Sequence, residues 1–257
     1  MTRRKPIYLA AEILTPVMVI VAVGIWTNVG GTFYFPPLQS VLEAFRENWL
    51  FSRFGTDVVP SLLRLIVGYA LAVAVGVGVG IALGRVSWLR RQASPIVEFL
   101  RAIPPPALLP FTIVMLGVDS AAKIVLIAFV CVWPILLNTM DGIAGVEATM
   151  RDTGRSYGVS RWRRLLRVDL PAASPQIFAG MSTSLPLALI LMVISEMVGA
   201  TNGIGYFIIQ AQRTFAIADM WSGIILLGVL GYLLNLIFVV IERRVLAWHY
   251  GIRERAS

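Results

Sequence analysis

Residues 65–83 read LIVGYALAVAVGVGVGIAL, without one charged side chain. A bilayer core is about 30 Å thick, so a helix of about 20 apolar residues can cross it. This stretch therefore predicts a transmembrane helix. Gly76, Gly80 and Gly84 recur every four residues, which places them on one helix face where a second helix backbone can approach closely.

Five further uncharged runs follow the same pattern, at 13–42, 102–118, 124–140, 177–195 and 220–241. The first should end near Val29, because glycines and prolines follow it, and we expect it to be a retained span rather than a signal peptide. Of the 257 residues, 58% are hydrophobic and 14% are charged, against about 45–50% and 25% in soluble domains. We therefore predict an all-α polytopic membrane protein of about six spans, forming a single domain over 1–257.

Several chemistries are excluded by residue counts. The sole cysteine, Cys131, lies in an apolar run, and the sole histidine, His249, lies near the C-terminus. A disulfide, a cysteine metal cluster or an intramembrane Ser–His pair therefore cannot form within the chain. Neither Lys5 nor Lys123 is followed by Ser or Thr, so the chain has no GK[ST] phosphate-binding loop.

The basic residues predict the orientation, because loops rich in Lys and Arg remain in the cytoplasm. With both termini inside, 17 of the 22 Lys and Arg residues fall on the cytoplasmic side. They are Arg3, Arg4, Lys5, Arg85, Arg90, Arg91, Arg101, Arg151, Arg155, Arg161, Arg163, Arg164, Arg167, Arg243, Arg244, Arg253 and Arg255. This asymmetry explains the net charge of +8 without nucleic acid.

Segment 30–60 is then extracytoplasmic and is predicted to contain a helix lying at the membrane interface. Its apolar residues at helical spacing are Val41, Leu42, Phe45, Trp49 and Leu50. At the start of the third run, Pro104, Pro105, Pro106 and Pro110 disfavour regular helix. Two interpretations stay open there: a bent helix that lines a pathway, or an ordinary helix start at the membrane surface.

The longest cytoplasmic loop, 145–172, carries the strongest functional pattern. Gly158 should end a first short helix, Ser160 should cap a second, and Pro171 should stop that second helix before the next span. Trp162, Leu165 and Leu166 are predicted to share one face, opposite a basic face of Arg161, Arg164 and Arg167. This helix could dock on another protein, lie on anionic lipid, or simply set the topology.

The spacing Gly158…Val168-x-Leu170-Pro171 resembles the cytoplasmic loop motif of membrane subunits of binding-protein-dependent ABC importers, written EAA-x3-G-x9-I-x-LP. Further segments resemble the subgroup that imports nitrate, taurine and aliphatic sulfonates, over roughly residues 60–250. They are Arg101-Ala-Ile-Pro-Pro, Pro134-Ile-Leu-Leu-Asn-Thr-Met-Asp-Gly142, Gly-Val-Ser-Arg-Trp around Arg161, Glu196-Met-Val-Gly with Gly203-Ile-Gly-Tyr206, and Glu242-Arg-Arg.

This resemblance implies a permease of type I importer fold in the bacterial inner membrane. Its expected partners are a second permease subunit, most simply another copy, two cytoplasmic ATPase subunits that hold ATP and Mg, and an external solute-binding protein. The chain itself would hold no cofactor. The loop residues expected to couple it to the ATPase are Asp152, Tyr157, Gly158, Val159, Ser160, Arg161, Trp162, Leu165, Leu166, Leu170 and Pro171.

The chain departs from the family motif at Asp152-Thr153-Gly154, which stands where Glu-Ala-Ala is usual. The carboxylate is one methylene shorter, and Gly154 should weaken the first helix by up to about 1 kcal/mol. The contact with the ATPase subunit is the property that this departure would alter.

Candidate pathway or gate residues are Arg64, Glu98, Pro104, Pro105, Asn138, Glu196, Gly199 and Gly203. Charges at membrane depth are costly and face protein or water. Arg64 and Lys123 could attract an anionic solute or snorkel outward, whereas Glu196 could belong to a gate or to a contact between subunits. A secondary transporter or channel is the alternative function, and partner-dependent ATP hydrolysis distinguishes it.

Overall fold

The computed structural model describes residues 14–15, 18, 21–28, 30 and 32–248. The helices, in chain order, are α1 (Leu38–Arg46), α2 (Val59–Arg85), α3 (Ser87–Ala102), α4 (Leu109–Leu116), α5 (Ser120–Ala144), α6 (Ala148–Ser156), α7 (Arg161–Arg164), α8 (Leu170–Gly199), α9 (Ile204–Arg213) and α10 (Ile217–Val245). A 3-10 turn, Pro105–Leu108, leads into α4.

Some predictions fall outside the described part of the chain. They concern both termini, with Arg3, Arg4, Lys5, His249, Arg253 and Arg255, and most of the first span. Within that span, residues 21–28 are helical.

Four helices among the described residues are long and apolar enough to cross a membrane. They are Phe54–Arg85, Ser120–Ala144, Arg161–Gly199 and Ile217–Val245. Each contains one of the predicted runs, so the expectation of an all-α polytopic protein is confirmed. Helices that contact both lipid and protein need apolar side chains on every face. The sequences of these four helices therefore lack a single apolar stripe.

The third predicted run lies in a pair of helices that is sharply bent. Helix α3 and the helix Pro105–Leu116 meet at 84°, with Ile103 and Pro104 in extended conformation between them. The sequence placed the charges of α3 on the cytoplasmic side, which stays a prediction; the structure adds that α3 packs its apolar face on α5 through Val97. The prolines do bend the chain at this point.

The core lies where α2, α5 and α8 meet. Leu65, Ile127, Ile135 and Met192 are among its fully buried side chains. A Cβ added at Gly80 would lie 2.6 Å from Cβ of Thr139, and the glycines at 68, 76 and 84 face α5 equally closely. The glycine face is therefore a close-packed helix contact, as predicted.

Segment 30–60 packs on the chain's own last span. The indole of Trp49 donates a hydrogen bond to Ser222 Oγ at 3.1 Å and contacts the ring of Phe207 edge-on at 4.7 Å between centroids. Val41 is also buried, whereas Leu42 and Leu50 are exposed. The apolar residues predicted to share one interfacial face are thus divided between a protein contact and the outer surface.

Candidate functional site

The loop between α5 and α8 forms a helical hairpin with an exposed aromatic tip. Helix α6 ends at Ser156, and Gly158 follows in the left-handed region with φ of 66°, as the sequence predicted. Tyr157 and Trp162 are 83% and 72% exposed, and Leu166 is exposed beside them. Large apolar side chains on a short loop are typical of a surface that another protein covers.

The second helix of the hairpin runs without interruption into the membrane. Arg161–Gly199 is one helix of 39 residues, in which a π-helical turn, Leu165–Asp169, joins α7 to α8. The expectation that Pro171 stops the helix was therefore wrong. The wider π turn precedes the proline and accommodates its ring and its missing N–H.

Two further details of the loop differ from the prediction. Leu165 is buried, so it does not share an open face with Trp162 and Leu166. The Ser160 side chain makes no capping hydrogen bond; its backbone carbonyl accepts one from the Arg164 amide at 2.9 Å instead. Val159 is half-buried and Arg161 is exposed.

A buried carboxylate ties the base of the hairpin to the ends of the other spans. Asp169 lies 3.0 Å from Arg85 and 3.5 Å from Arg151, measured between charged atoms. Arg85 also donates to the carbonyl of Arg161, and Arg151 donates to that of Ile143. The hairpin is therefore fastened to α2, α5 and α8 at what we call the arginine-rich end of the molecule.

The unusual Asp152-Thr153-Gly154 segment has a local explanation. Helix α6 forms through it, and Asp152 is exposed and pairs with Arg155 at 3.0 Å. A Cβ at Gly154 would lie 3.3 Å from Cδ of Arg164. The glycine therefore allows the stem of Arg164 to pack across α6.

At the opposite end of the spans, Glu196 is fully buried in a polar cage. Its carboxylate accepts hydrogen bonds from Arg64 at 2.7 Å, from Ser61 at 2.8 Å and from the Gly205 amide at 3.0 Å. Arg64, which is 6% exposed, also donates to the Asn202 side chain at 2.5 Å. This ion pair lies within one chain, so the interpretation of Glu196 as a contact between subunits was wrong.

Gly203 belongs to the same cage. It has φ of 120°, and an added Cβ would lie 2.5 Å from the Glu196 carboxylate. Its amide donates to Asp57 at 2.8 Å. Gly199 packs against Ile113 of α4. Gly203 is therefore required by close packing around Glu196, and Gly199 by its contact with α4.

Two other polar candidates are also satisfied inside the chain. The Lys123 ammonium is buried and donates to the carbonyls of Val118 and Asp119, so neither Lys123 nor Arg64 snorkels outward. Asn138 donates to the carbonyl of Pro134 and accepts from Gln176, each at 2.8 Å.

The remaining candidates meet at the break between α3 and α4. Glu98 and Pro105 line a cavity of about 570 Å³, and Arg101 and Ile103 line it with them. Pro104 is exposed at the bend. Neither Glu98 nor Arg101 has a hydrogen-bond or ion-pair partner among the described residues.

Sequence reasoning missed Asp169, Ser61 and Asn202, each of which makes its contacts with residues far away in the chain. Arg101 was counted only among the cytoplasmic charges, and the structure adds that it lines the cavity beside α5. Its proximity to four prolines was the available signal. Within the residues that the structure describes, no three His, Cys, Asp or Glu side chains are grouped to hold a metal ion.

Comparison with known proteins adds independent information. Residues 72–247 match the family described as binding-protein-dependent transport system inner membrane component. The putative aliphatic sulfonates transport permease protein SsuC of Escherichia coli is 32% identical over 93% of this chain and 92% of its own. The nitrate import permease protein NrtB of Leptolyngbya laminosa is 32% identical over 91% and 88%, respectively.

Among solved structures, a chain of the inward-facing MetNI methionine ABC transporter aligns with a TM-score of 0.65 and 24% identity. The alignment covers 74% of this chain and 94% of that chain, which shows a shared fold. The family match covers more than half of the sequence, including the exposed hairpin and the helix that continues from it into the membrane. The chain belongs to the family of inner membrane components of binding-protein-dependent transport systems.

Proposed function

We propose that this permease forms the solute pathway of an importer in which ATP, with Mg, is hydrolysed on two cytoplasmic ATPase subunits. An extracytoplasmic binding protein delivers the solute. The single observation that carries this proposal is the continuous helix Arg161–Gly199, which has an exposed tryptophan near one end and the Glu196 cage near the other.

Such a helix is suited to transmit a movement. Trp162 and Leu166 offer an apolar contact area, and Tyr157 on the preceding turn extends it. The Asp169 contacts with Arg85 and Arg151 prevent the hairpin from swinging independently of the spans. Closure of an ATPase pair on the tip would therefore tilt α8 and its neighbours as a rigid body.

The orientation follows from the charges. The arginine-rich end, including Arg85, Arg151 and Arg164, faces the cytoplasm under the rule that basic loops remain inside. Both termini are then cytoplasmic, and the Glu196 cage lies towards the binding protein. The bacterial inner membrane is the expected location.

A second copy of the chain completes the pathway in this proposal. The cavity at Glu98 and Arg101 is open, and two charges facing hydrocarbon would be costly. A symmetric partner placed across this opening would enclose it. Homo-oligomers with a two-fold axis are the commonest assemblies of this kind.

The solute is expected to be a small anionic or organic compound. The relatives are named for aliphatic sulfonates, taurine and nitrate. A secondary transporter is the alternative, and it requires no ATPase subunit.

The docking surface is tested by Trp162→Ala, with Trp88→Ala as the matched control, since both side chains are exposed and Trp88 lies on α3. Loss of a central interface tryptophan costs about 2 kcal/mol or more, roughly 30-fold in affinity. We expect Trp162→Ala to lose the ATPase subunit on co-purification and to lose ATP hydrolysis stimulated by the binding protein. Trp88→Ala should retain both.

Full ATPase association and stimulation in Trp162→Ala would contradict the docking assignment. A wild-type chain that transports solute without any ATPase subunit would support the secondary transporter instead.

A further inference from the structure

The break between α3 and the helix Pro105–Leu116 lies beside the middle of α5, a helix long and apolar enough to cross a membrane. Its cavity is lined on the far side by Phe129 and Trp133 of α5 and by Leu187 of α8. Trp133 is near the middle of α5, which runs from Ser120 to Ala144. A non-helical backbone at this depth is tolerated where it lines a cavity or is covered by protein.

The two charges at the break are uncompensated within the described residues. Glu98 and Arg101 are three residues apart on α3 and line the same cavity, yet they form no ion pair with each other. Arg64 and Glu196 differ from them, since they form an ion pair of 2.7 Å. Both side chains are exposed in the single chain, and charges beside a membrane-spanning helix face water or a polar ligand.

The chemistry of the cavity favours one end of a small organic anion. Arg101 supplies a planar guanidinium, which matches the oxygens of a carboxylate or sulfonate. The helix that begins at the break adds little, because Pro105 and Pro106 have no N–H to donate. Phe129 and Trp133, in edge-on contact at 5.3 Å between centroids, form an apolar wall for a hydrocarbon group.

We infer that this cavity is a solute subsite in the transport pathway, in which Arg101 binds the oxyanion of a small organic solute. Glu98, on the same helix face, weakens the binding of a purely anionic solute and interacts with a positive group where the solute carries one. This inference rests on the proposed import function and deepens it. Glu98 and Arg101 then contact the solute, whereas Arg64 and Glu196 stabilise the fold.

The test uses a probe that is itself an alkanesulfonate. Ile103 lines the cavity, and Cys131 is buried, so Ile103→Cys in a Cys131→Ser background places a single thiol beside Arg101. The full-length chain, expressed with its transporter subunits in membrane vesicles, is labelled with 2-sulfonatoethyl methanethiosulfonate and with its cationic trimethylammonium analogue. The ratio of the two rates reports the local charge.

We expect the thiol to react with both reagents. Adding Arg101→Gln should lower the ratio of the anionic to the cationic labelling rate by roughly 10-fold, because a cation near the thiol is lost in a medium of low dielectric constant. Arg90→Gln is the control, because Arg90 pairs with Asp141 and does not line the cavity. It should change the ratio less than about 2-fold, since distant charges are screened. Glu98→Gln should raise the ratio.

An unreactive thiol at Ile103→Cys would overturn the inference, and so would a ratio that is equal with and without Arg101. Neither labelling result depends on ATP hydrolysis, so the proposed function is tested separately. In the complete transporter, Arg101→Gln should reduce uptake of the solute that the cognate binding protein binds by at least roughly 10-fold, while ATPase stimulation persists. Undiminished uptake in that variant would also refute the subsite.

Discussion

Two pairs of opposite charges in this chain have completely different surroundings. Arg64 and Glu196 are buried, 2.7 Å apart, and surrounded by further hydrogen-bond partners. Glu98 and Arg101 line an open cavity, and neither has a partner among the described residues. The first pair comes from helices distant in sequence, whereas the second is three residues apart on one helix.

The difference separates a structural role from a functional one. A buried ion pair is retained when every donor and acceptor is satisfied, and removing one partner leaves a costly charge behind. The exposed and unpaired Glu98 and Arg101 have no such stabilising role in the isolated chain. The comparison therefore assigns stability to the Glu196 cage and solute contact to the Arg101 cavity.

The largest expected effect is on stability. Glu196→Gln should lower the free energy of unfolding by about 3–5 kcal/mol, because Arg64 would remain buried without its counter-charge. Glu98→Gln, at the open site, should change it by less than about 0.5 kcal/mol. Reversible unfolding in mixed detergent and SDS measures both. Equal effects of the two substitutions would remove the distinction between the sites.

A smaller effect is expected from the glycine that touches the cage. Gly203→Ala places a Cβ against the Glu196 carboxylate in a backbone conformation that favours glycine, and should cost about 2–3 kcal/mol. Gly158→Ala is the control, since its φ is also positive but nothing lies within 4 Å of the added Cβ. It should cost about 1 kcal/mol in the same unfolding assay. A larger loss from Gly158→Ala would show that backbone strain, not the cage, dominates.

The spans could be predicted from sequence because the bilayer imposes a length and a composition on each of them. The glycine face of α2 and the turn at Gly158 were also predictable, since each depends on residues close together in the chain. The path of the chain at Pro171 was not, because a π turn nearby accommodated the proline. Local sequence rules describe the conformation that a residue prefers. They do not describe how the neighbouring backbone can adjust to it.

The partners of the charged residues could not be predicted for a different reason. Ser61 and Glu196 are 135 positions apart, and nothing in a single sequence specifies that they meet. Arg64 and Glu98 therefore looked alike as charges near span boundaries. Their roles became distinct once the structure showed the hydrogen bonds of Arg64 and showed that Glu98 has no partner among the described residues.

Asn138 gives the finest test of this distinction, because it was a pathway candidate and is bonded within the chain. Its amide links α5 to Gln176 of α8 at 2.8 Å, so it should behave as a structural residue. A double-mutant cycle of Asn138→Ala and Gln176→Ala should give a coupling energy of about 0.6 kcal/mol, the average for hydrogen bonds between membrane helices. Solute uptake by Asn138→Ala should remain near that of the wild type. Asn138→Ala could instead reduce uptake as much as Arg101→Gln and show no coupling to Gln176. Asn138 would then belong to the pathway, and hydrogen bonding within the chain would not exclude a residue from contact with the solute.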